Sequence, residues 1–258
     1  DEDALDVHQL DSWRNLFYHG LLQEKIKEFP KGSTLLEIGA GSGTDAKELK
    51  ADYKLVLSDV SPKTLERLSK RTGDENIEYV AADGESLPFL DNYFDGLYMV
   101  AVWHHFENSA KGLSEAYRVL KPGGKLVIGV EPNTFYHLPI KILRPLLCKL
   151  TRTEESSHAD EEMIGFSYRQ IRKYFEKDSW QDLEIRPMWF LAGWMHYKLE
   201  FFYRVFRLKK RIKLPLWFEK TIVGLDEVLF KVPFVKHLCW HWIVSARKPL
   251  VIPSPDMK

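Results

Sequence analysis

The spacing of apolar side chains along the chain changes near Pro30. From Asp11 to Phe29, Trp13, Leu16, Phe17, Leu22, Ile26 and Phe29 recur at helical intervals, which predicts a helix stopped by Pro30-Lys31-Gly32. Short apolar runs then take over. Thr34–Ile38 (TLLEI), Lys54–Ser58 (KLVLS), Ile77–Ala81, Phe94–Val102 and Lys125–Glu131 each predict a buried strand. Helices are predicted between them: one beginning near Thr44, one through Arg71 opened by the N-cap Ser61 and first-turn Pro62, and one around Asn108–Leu120. Strands alternating with helices in this way indicate βαβ units, hence a parallel sheet with helices on both faces.

Past Glu131 the alternation slackens. Ser167-Tyr168-Arg169-Gln170 has the capping-box pattern and predicts a helix through about Lys177. Leu183–Met188 is a sixth strand and Trp240–Ala246 (WHWIVSA) a seventh, whose alternation suits an edge. Two long insertions, Thr134–Gly165 and Leu191–Leu238, lie around these elements. No internal repeat or low-complexity stretch is visible.

A chain of 258 residues can bury one α/β core with additions. The net charge is zero, but residues 1–133 hold 15 Lys and Arg against 23 Asp and Glu, whereas residues 134–258 hold 22 against 14. Aromatic residues are skewed the same way, 13 in the first part and 21 in the second. An acidic front and a basic, aromatic back suggest a catalytic core followed by specialised additions. The two cysteines, Cys148 and Cys239, offer neither a disulfide framework nor metal-ligand spacing, so no metal site is expected and a reducing, cytoplasmic setting is the default. His158 with Asp160, Glu161 and Glu162 matches no metal pattern and reads as a solvated loop. No signal peptide is expected, and the longest apolar stretch, Met188–Met195, is far short of the roughly 18 residues that span a bilayer.

The chemistry concentrates at the end of the first strand. In an open parallel sheet, ligands sit beyond the carboxyl ends of the strands where strand order reverses. Gly39-Ala40-Gly41-Ser42-Gly43 lies there, and its glycines allow a sharp turn and a close approach to a ligand. The dinucleotide fingerprint asks for a small residue at its sixth position, where this chain has Thr44. Glu37 sits inside the strand two residues before the first glycine, an expensive place for a carboxylate unless a cation meets it.

Glu37-Ile38-Gly39-Ala40-Gly41-Ser42-Gly43-Thr44 resembles the first motif of class I S-adenosylmethionine-dependent methyltransferases. Asp59 is similar to the acid that holds the ribose hydroxyls in that family, and Asp83-Gly84 followed by Leu87-Pro88-Phe89 to its adenine-side motif. Phe94-Asp95 and His104-His105-Phe106 match its fourth-strand region. Arg118-Val119-Leu120-Lys121-Pro122-Gly123-Gly124-Lys125-Leu126 resembles the turn before its fifth strand in the small-molecule branch. The resemblance covers Thr34 to Glu131. It implies a Rossmann-like, seven-stranded, mostly parallel sheet with helices on both faces, and helical, aromatic insertions forming a cap. It implies S-adenosyl-L-methionine as cofactor, bound by Glu37, Gly39, Ala40, Gly41, Gly43, Asp59, Val60, Asp83 and Gly84. The segments then read as an N-terminal lid (1–30), a cofactor-binding core (31–133), an insertion (134–165), a core helix and strand (166–190), a basic-aromatic insertion (191–238), and a last strand with a tail (239–258). Trp13, Phe17, Tyr18 and His19 lie on the leading helix, which in this family often folds over the cofactor.

His104 and His105 follow the fourth strand on the cleft side, where a histidine could take a proton from a hydroxyl or amine. Of the two, His105 is the first choice as base, and catalysis by placement alone is an equal alternative because the sulfonium is already activated. The acceptor expected is small or lipid-like, methylated at oxygen or nitrogen and entering between the histidines and the aromatic insertions. A catalytically silent module of the same fold and a quinone-type methyltransferase on a membrane surface are the rival readings. Residues 135–147 and 198–218 interleave cations with aromatics, which suits a cap, peripheral membrane contact or an oligomer surface. Nucleic acid is not expected, because the positive charge joins no recognisable binding module.

Overall fold

The computed structural model describes residues 12–73, 76–136, 142–143, 146, 165–177, 180–206, 208 and 213–250. The proposed loop at His158–Glu162, Cys148, and most of the basic run Arg207–Arg211 lie outside the described residues. The described residues fall into two compact units. A core unit lies within Gln23–Glu131, Tyr168–Ile185 and Ile243–Lys258, and a helical unit within Asp1–Leu22, Pro132–Ser167 and Arg186–Trp242.

In chain order the elements are α1 (Trp13–Ile26), β1 (Thr34–Ile38), α2 (Ala46–Leu49), β2 (Lys54–Asp59), α3 (Pro62–Thr72), β3 (Ile77–Ala81), β4 (Phe94–Val100), α4 (Ser109–Val119), β5 (Leu120–Pro132), α5 (Tyr168–Lys177), β6 (Gln181–Met188), α6 (Leu191–Val205), α7 (Leu216–Leu229) and β7 (His241–Arg247). The seven strands form one sheet in the order β3-β2-β1-β4-β5-β7-β6. β1 runs parallel to β2 and β4, β2 to β3, and β4 to β5. β1 therefore has its successor on one side and β4 on the other, and the reversal of strand order falls between β1 and β4.

The buried strands are continuous apolar runs because the sheet is covered on both faces. Leu35, Leu36, Leu57, Leu97, Met99, Leu126, Val127 and Ile128 are all fully buried. Local chemistry sets the helix ends. Ser61 Oγ accepts from the N–H of Thr64 at 3.3 Å, Pro62 opens α3, and Gly73 closes it in the left-handed conformation at φ 54°. Asn108 caps α4 through the N–H of Lys111 at 3.1 Å.

Three expectations need correction. β4 ends at Val100 rather than Val102, because Ala101 turns into the left-handed region at φ 55° and takes the next residues out of the sheet. β5 begins at Leu120, which pairs with Phe94 before an irregularity resumes the ladder at Gly96 and Lys125. β7 is not an edge strand: it lies between β5 and β6, and its first six residues are buried. An alternating pattern at the chain level does not separate an edge from a covered interior position when Trp242 and His241 are both buried.

The helical unit is organised by buried polar groups. Both carboxylate oxygens of Asp226 on α7 accept from the N–H groups of Phe190, Leu191 and Ala192 at 2.7–3.1 Å, so a distant side chain caps α6. Burial pushes the Asp226 carboxyl above its ordinary range despite those three bonds. Arg14 donates from Nη1 to Glu219 at 2.6 Å and from Nη2 to Nδ1 of His196 at 3.1 Å, all three being buried. Trp240 is sandwiched by Tyr136 at 4.2 Å and Tyr197 at 4.1 Å between ring centres. A side chain on Gly193 would run into the Trp240 ring, which explains a glycine inside α6.

Candidate active site

The core unit brings the carboxyl ends of β1, β2, β3, β4 and β5 to one edge, and the predicted site residues follow them there. Gly39, Gly41 and Gly43 have φ of 70°, 47° and 63°, conformations L side chains rarely adopt. Gly39 has a second constraint, since a Cβ there would lie 2.5 Å from Cγ2 of Val102. The loop is pinned by the N–H of Ala40 donating to the carbonyl of Ser58 at 2.8 Å and that of Gly43 to the carbonyl of Ala40 at 2.7 Å.

Asp59, at the end of β2, spans the loop and the next helix: Oδ2 accepts from the N–H of Gly41 at 3.1 Å and Oδ1 from the N–H of Ser61 at 2.9 Å. Its neighbour Val60 is 76% exposed, unusual for an aliphatic residue beside a buried sheet. Asp83 is exposed after β3 and accepts from the N–H of Glu85 at 2.8 Å, and Gly84 is buried where a Cβ would collide with the Phe106 ring. Glu85 in turn accepts from the N–H of Asn108 at 2.9 Å, joining the loops that follow β3 and β4.

Glu37 is buried on β1 and accepts from the hydroxyl of Tyr98 on β4 at 2.9 Å. Its pKa is pushed well above the usual carboxylate range, first by burial, then by repulsion from Asp45, with Asp59 adding and only Tyr98 opposing. Asp45 is buried as well and accepts from Gln23 at 3.2 Å. Three acids thus converge beneath a glycine cradle. That arrangement fits a ligand with a cationic amino-acid head and a sulfonium, which would relieve the repulsion that Asp45 and Asp59 exert on Glu37. S-adenosyl-L-methionine has this chemistry.

The histidines separate. His105 is exposed and His104 is buried, with ring centres 4.1 Å apart. His104 Nδ1 lies 2.9 Å from Oε2 of Glu131, and the same carboxylate accepts from the N–H groups of Val102, Trp103 and His104 at 3.0–3.1 Å. Glu131 is fully buried at the end of β5. Ala101 and Val130, at φ 55° and 57°, flank this cluster, and positive φ at β-branched Val130 is a strained conformation costing about 1–3 kcal/mol.

Sequence reasoning missed Glu131, Tyr98 and Asp45. A usable signal existed for Glu131, an acid closing the apolar run Leu126–Val130 just as Asp59 closes that of β2. Tyr98 and Asp45 carried none, because their partners are 61 residues away for Tyr98 and 22 for Asp45.

Residues 36–128 match the family described as "Methyltransferase domain". A demethylmenaquinone methyltransferase of Clavibacter sepedonicus is 32% identical over 63% of this chain and 65% of its own length. A ubiquinone/menaquinone biosynthesis C-methyltransferase, UbiE, of Rickettsia typhi is 33% identical over 48% of this chain and 51% of its own length. The chain thus spans less than two thirds of the length of these curated relatives. A Haemonchus contortus phosphoethanolamine N-methyltransferase 2, solved with phosphomonomethylethanolamine and S-adenosylhomocysteine, superposes with a TM-score of 0.60 at 21% identity, over 89% of this chain and 52% of that one, a likeness of fold.

Proposed function

We propose that this chain, whose residues 36–128 match the family described as "Methyltransferase domain", moves the methyl group of S-adenosyl-L-methionine onto a small or lipid-like acceptor. The observation that carries this reading is the acid set Glu37, Asp45 and Asp59 under a cradle of three left-handed glycines. Glu37, Gly39, Ala40, Gly41 and Gly43 would hold the amino-acid head of the cofactor, Asp59 and Val60 its ribose, and Asp83 and Gly84 its adenine. The cofactor supplies an electrophilic methyl group. The chain's own residues bind, orient and exclude water around it, with His104 and His105 the candidates for moving a proton. Among acceptors, a ring-bearing quinol is favoured by what the relatives are named for.

Calorimetry with the cofactor and its demethylated product tests the reading. Micromolar or tighter binding that Gly39→Val abolishes is expected, and no heat with either compound from folded protein sinks it.

A second reading, peripheral membrane contact through 135–147 and 198–218, is supported by the surface of the helical unit. Trp194, Phe201, Phe202 and Phe206 are each 40–61% exposed along α6 and its end, and with Tyr197, Lys198, Val205 and Trp240 line an open apolar cavity of about 330 Å³. Trp217 is 69% exposed, and Phe135, Ile142, Leu143 and Leu146 are exposed too. Exposed patches of this kind mark interaction sites in soluble proteins, and the cations of 198–218 complement anionic lipid. Among the described residues no helix is long and apolar enough to cross a membrane. Buried Cys239 as a free thiol suits the reducing, cytoplasmic side. Co-sedimentation with phosphatidylglycerol vesicles should be lost at high salt and in the triple variant Lys209→Ser, Lys210→Ser, Arg211→Ser. Binding indifferent to both rejects the reading.

A further inference from the structure

Resting on the methyl-transfer reading, we propose that Glu131 and His104 act as a carboxylate–imidazole pair that receives the proton the acceptor gives up. Glu131 is the positioning residue and Nε2 of His104 the proton acceptor. The corollary concerns substrate class: the acceptor is a phenol- or enol-like hydroxyl compound, not a tertiary amine or a thioether, which have no proton to lose.

The geometry separates this role from loop anchoring. Both oxygens of Glu131 are occupied, Oε1 by the N–H groups of Val102 and Trp103, Oε2 by the N–H and the ring Nδ1 of His104. The three main-chain bonds suffice to hold the loop after β4. The fourth does nothing for the backbone. It fixes the imidazole. Both oxygens already accept main-chain N–H groups, so Oε2 serves as an acceptor toward the ring as well, which puts the ring hydrogen on Nδ1 and the lone pair on Nε2. The strained Ala101 and Val130 lie on the two strand ends that bring Glu131 and the loop together.

The bookkeeping closes with groups already named. As the acceptor oxygen, or the ring carbon conjugated to it, gains the methyl group, one S–CH₃ bond breaks and leaves a neutral thioether. The hydroxyl proton passes to Nε2. The resulting imidazolium stands against the Glu131 carboxylate, and water takes the proton afterwards. After methylation at ring carbon, the C–H proton of that carbon moves to the oxygen as the ring re-aromatises, so either route releases one net proton and the pair serves either.

Histidine ¹⁵N spectra of the whole chain test the arrangement without turnover. The resonances absent from His104→Asn should show a protonated Nδ1 and a bare Nε2 at pH 8, and Glu131→Gln should lose that single tautomer. A protonated Nε2 in the parent overturns the proposal. The second arm follows transfer of labelled methyl to a short-tailed 1,4-naphthoquinol, a tertiary amine and a thioether. Asparagine keeps an amide N–H near the position of Nδ1, so the loop anchor survives in His104→Asn while the base is gone. The variant should bind the cofactor within about twofold of the parent and lose roughly 10²–10⁴ in kcat on the quinol. Transfer by His104→Asn within threefold of the parent, or transfer confined to the amine and thioether, overturns the proposal. Absence of cofactor binding is a separate result: it fails the methyl-transfer reading and leaves the tautomer unchanged.

Discussion

Glu131 in the core unit and Asp226 in the helical unit are both fully buried carboxylates that gather the N–H groups of three consecutive residues. Asp226 gathers the start of α6 through three main-chain N–H groups. Glu131 does the same for the turn after β4 and adds an imidazole. One device thus serves two purposes. Where it only satisfies orphan donors it is architecture, and where it also fixes a titratable ring at the switch point of the sheet it can serve chemistry.

The largest effects come from removing either carboxylate. Glu131→Ala and Asp226→Ala each strand three buried N–H groups and should cost about 3–6 kcal/mol by chemical denaturation. The comparison sharpens in the milder variants. Asp226→Asn should keep cofactor binding and transfer within about twofold of the parent, while Glu131→Gln loses transfer by roughly 10² or more. Equal losses in the two would erase the distinction drawn between them.

Next in size is Glu37→Gln. Loss of one charge-assisted contact should weaken cofactor binding by about 1.5–3 kcal/mol, some 10- to 100-fold in calorimetry. The same change should stabilise the empty protein at neutral pH. Glu37 binds its proton more tightly folded than unfolded, because burial and Asp45 raise its pKa. Between the unfolded value near 4.5 and the raised folded value, the folded state therefore holds more protons, and its stability falls as pH rises. A cationic ligand reverses this by favouring the ionised form. Thermal melts from pH 5 to 8 should decline for the empty parent, flatten with cofactor, and lack this component in Glu37→Gln. An empty parent as pH-sensitive as Glu37→Gln contradicts it.

The smallest effect on folding belongs to the exposed aromatic face. Phe202→Ser and Trp217→Ser, at side chains 46% and 69% exposed, should change stability by no more than about 0.5 kcal/mol while lowering vesicle binding. A loss of several kcal/mol would mean that this face packs against something.

The core unit was legible for a reason that the helical unit lacks. In Thr34–Glu131 the strands carry apolar runs, and glycine or acid stands at the ends of β1 and β2, so period, turn residue and chemistry coincide there. Aromatics spread through 191–238 with neither period dominating, and which of them are covered depends on partners elsewhere in the chain: Tyr197 stacks on Trp240 and Tyr203 is buried, while Phe201 and Phe206 stay exposed.

By itself the sequence determined the α/β alternation, the glycine cradle and the acids Glu37, Asp59 and Asp83, because each depends on neighbours within a few residues. Tertiary structure alone decided that β7 lies inside the sheet, that Glu37 meets Tyr98 across 61 residues, and that His104 meets a carboxylate, Glu131, 27 residues on. Two adjacent histidines are chemically alike in a chain. Only packing of β5 beside β4 buries one against an acid and leaves its neighbour in water.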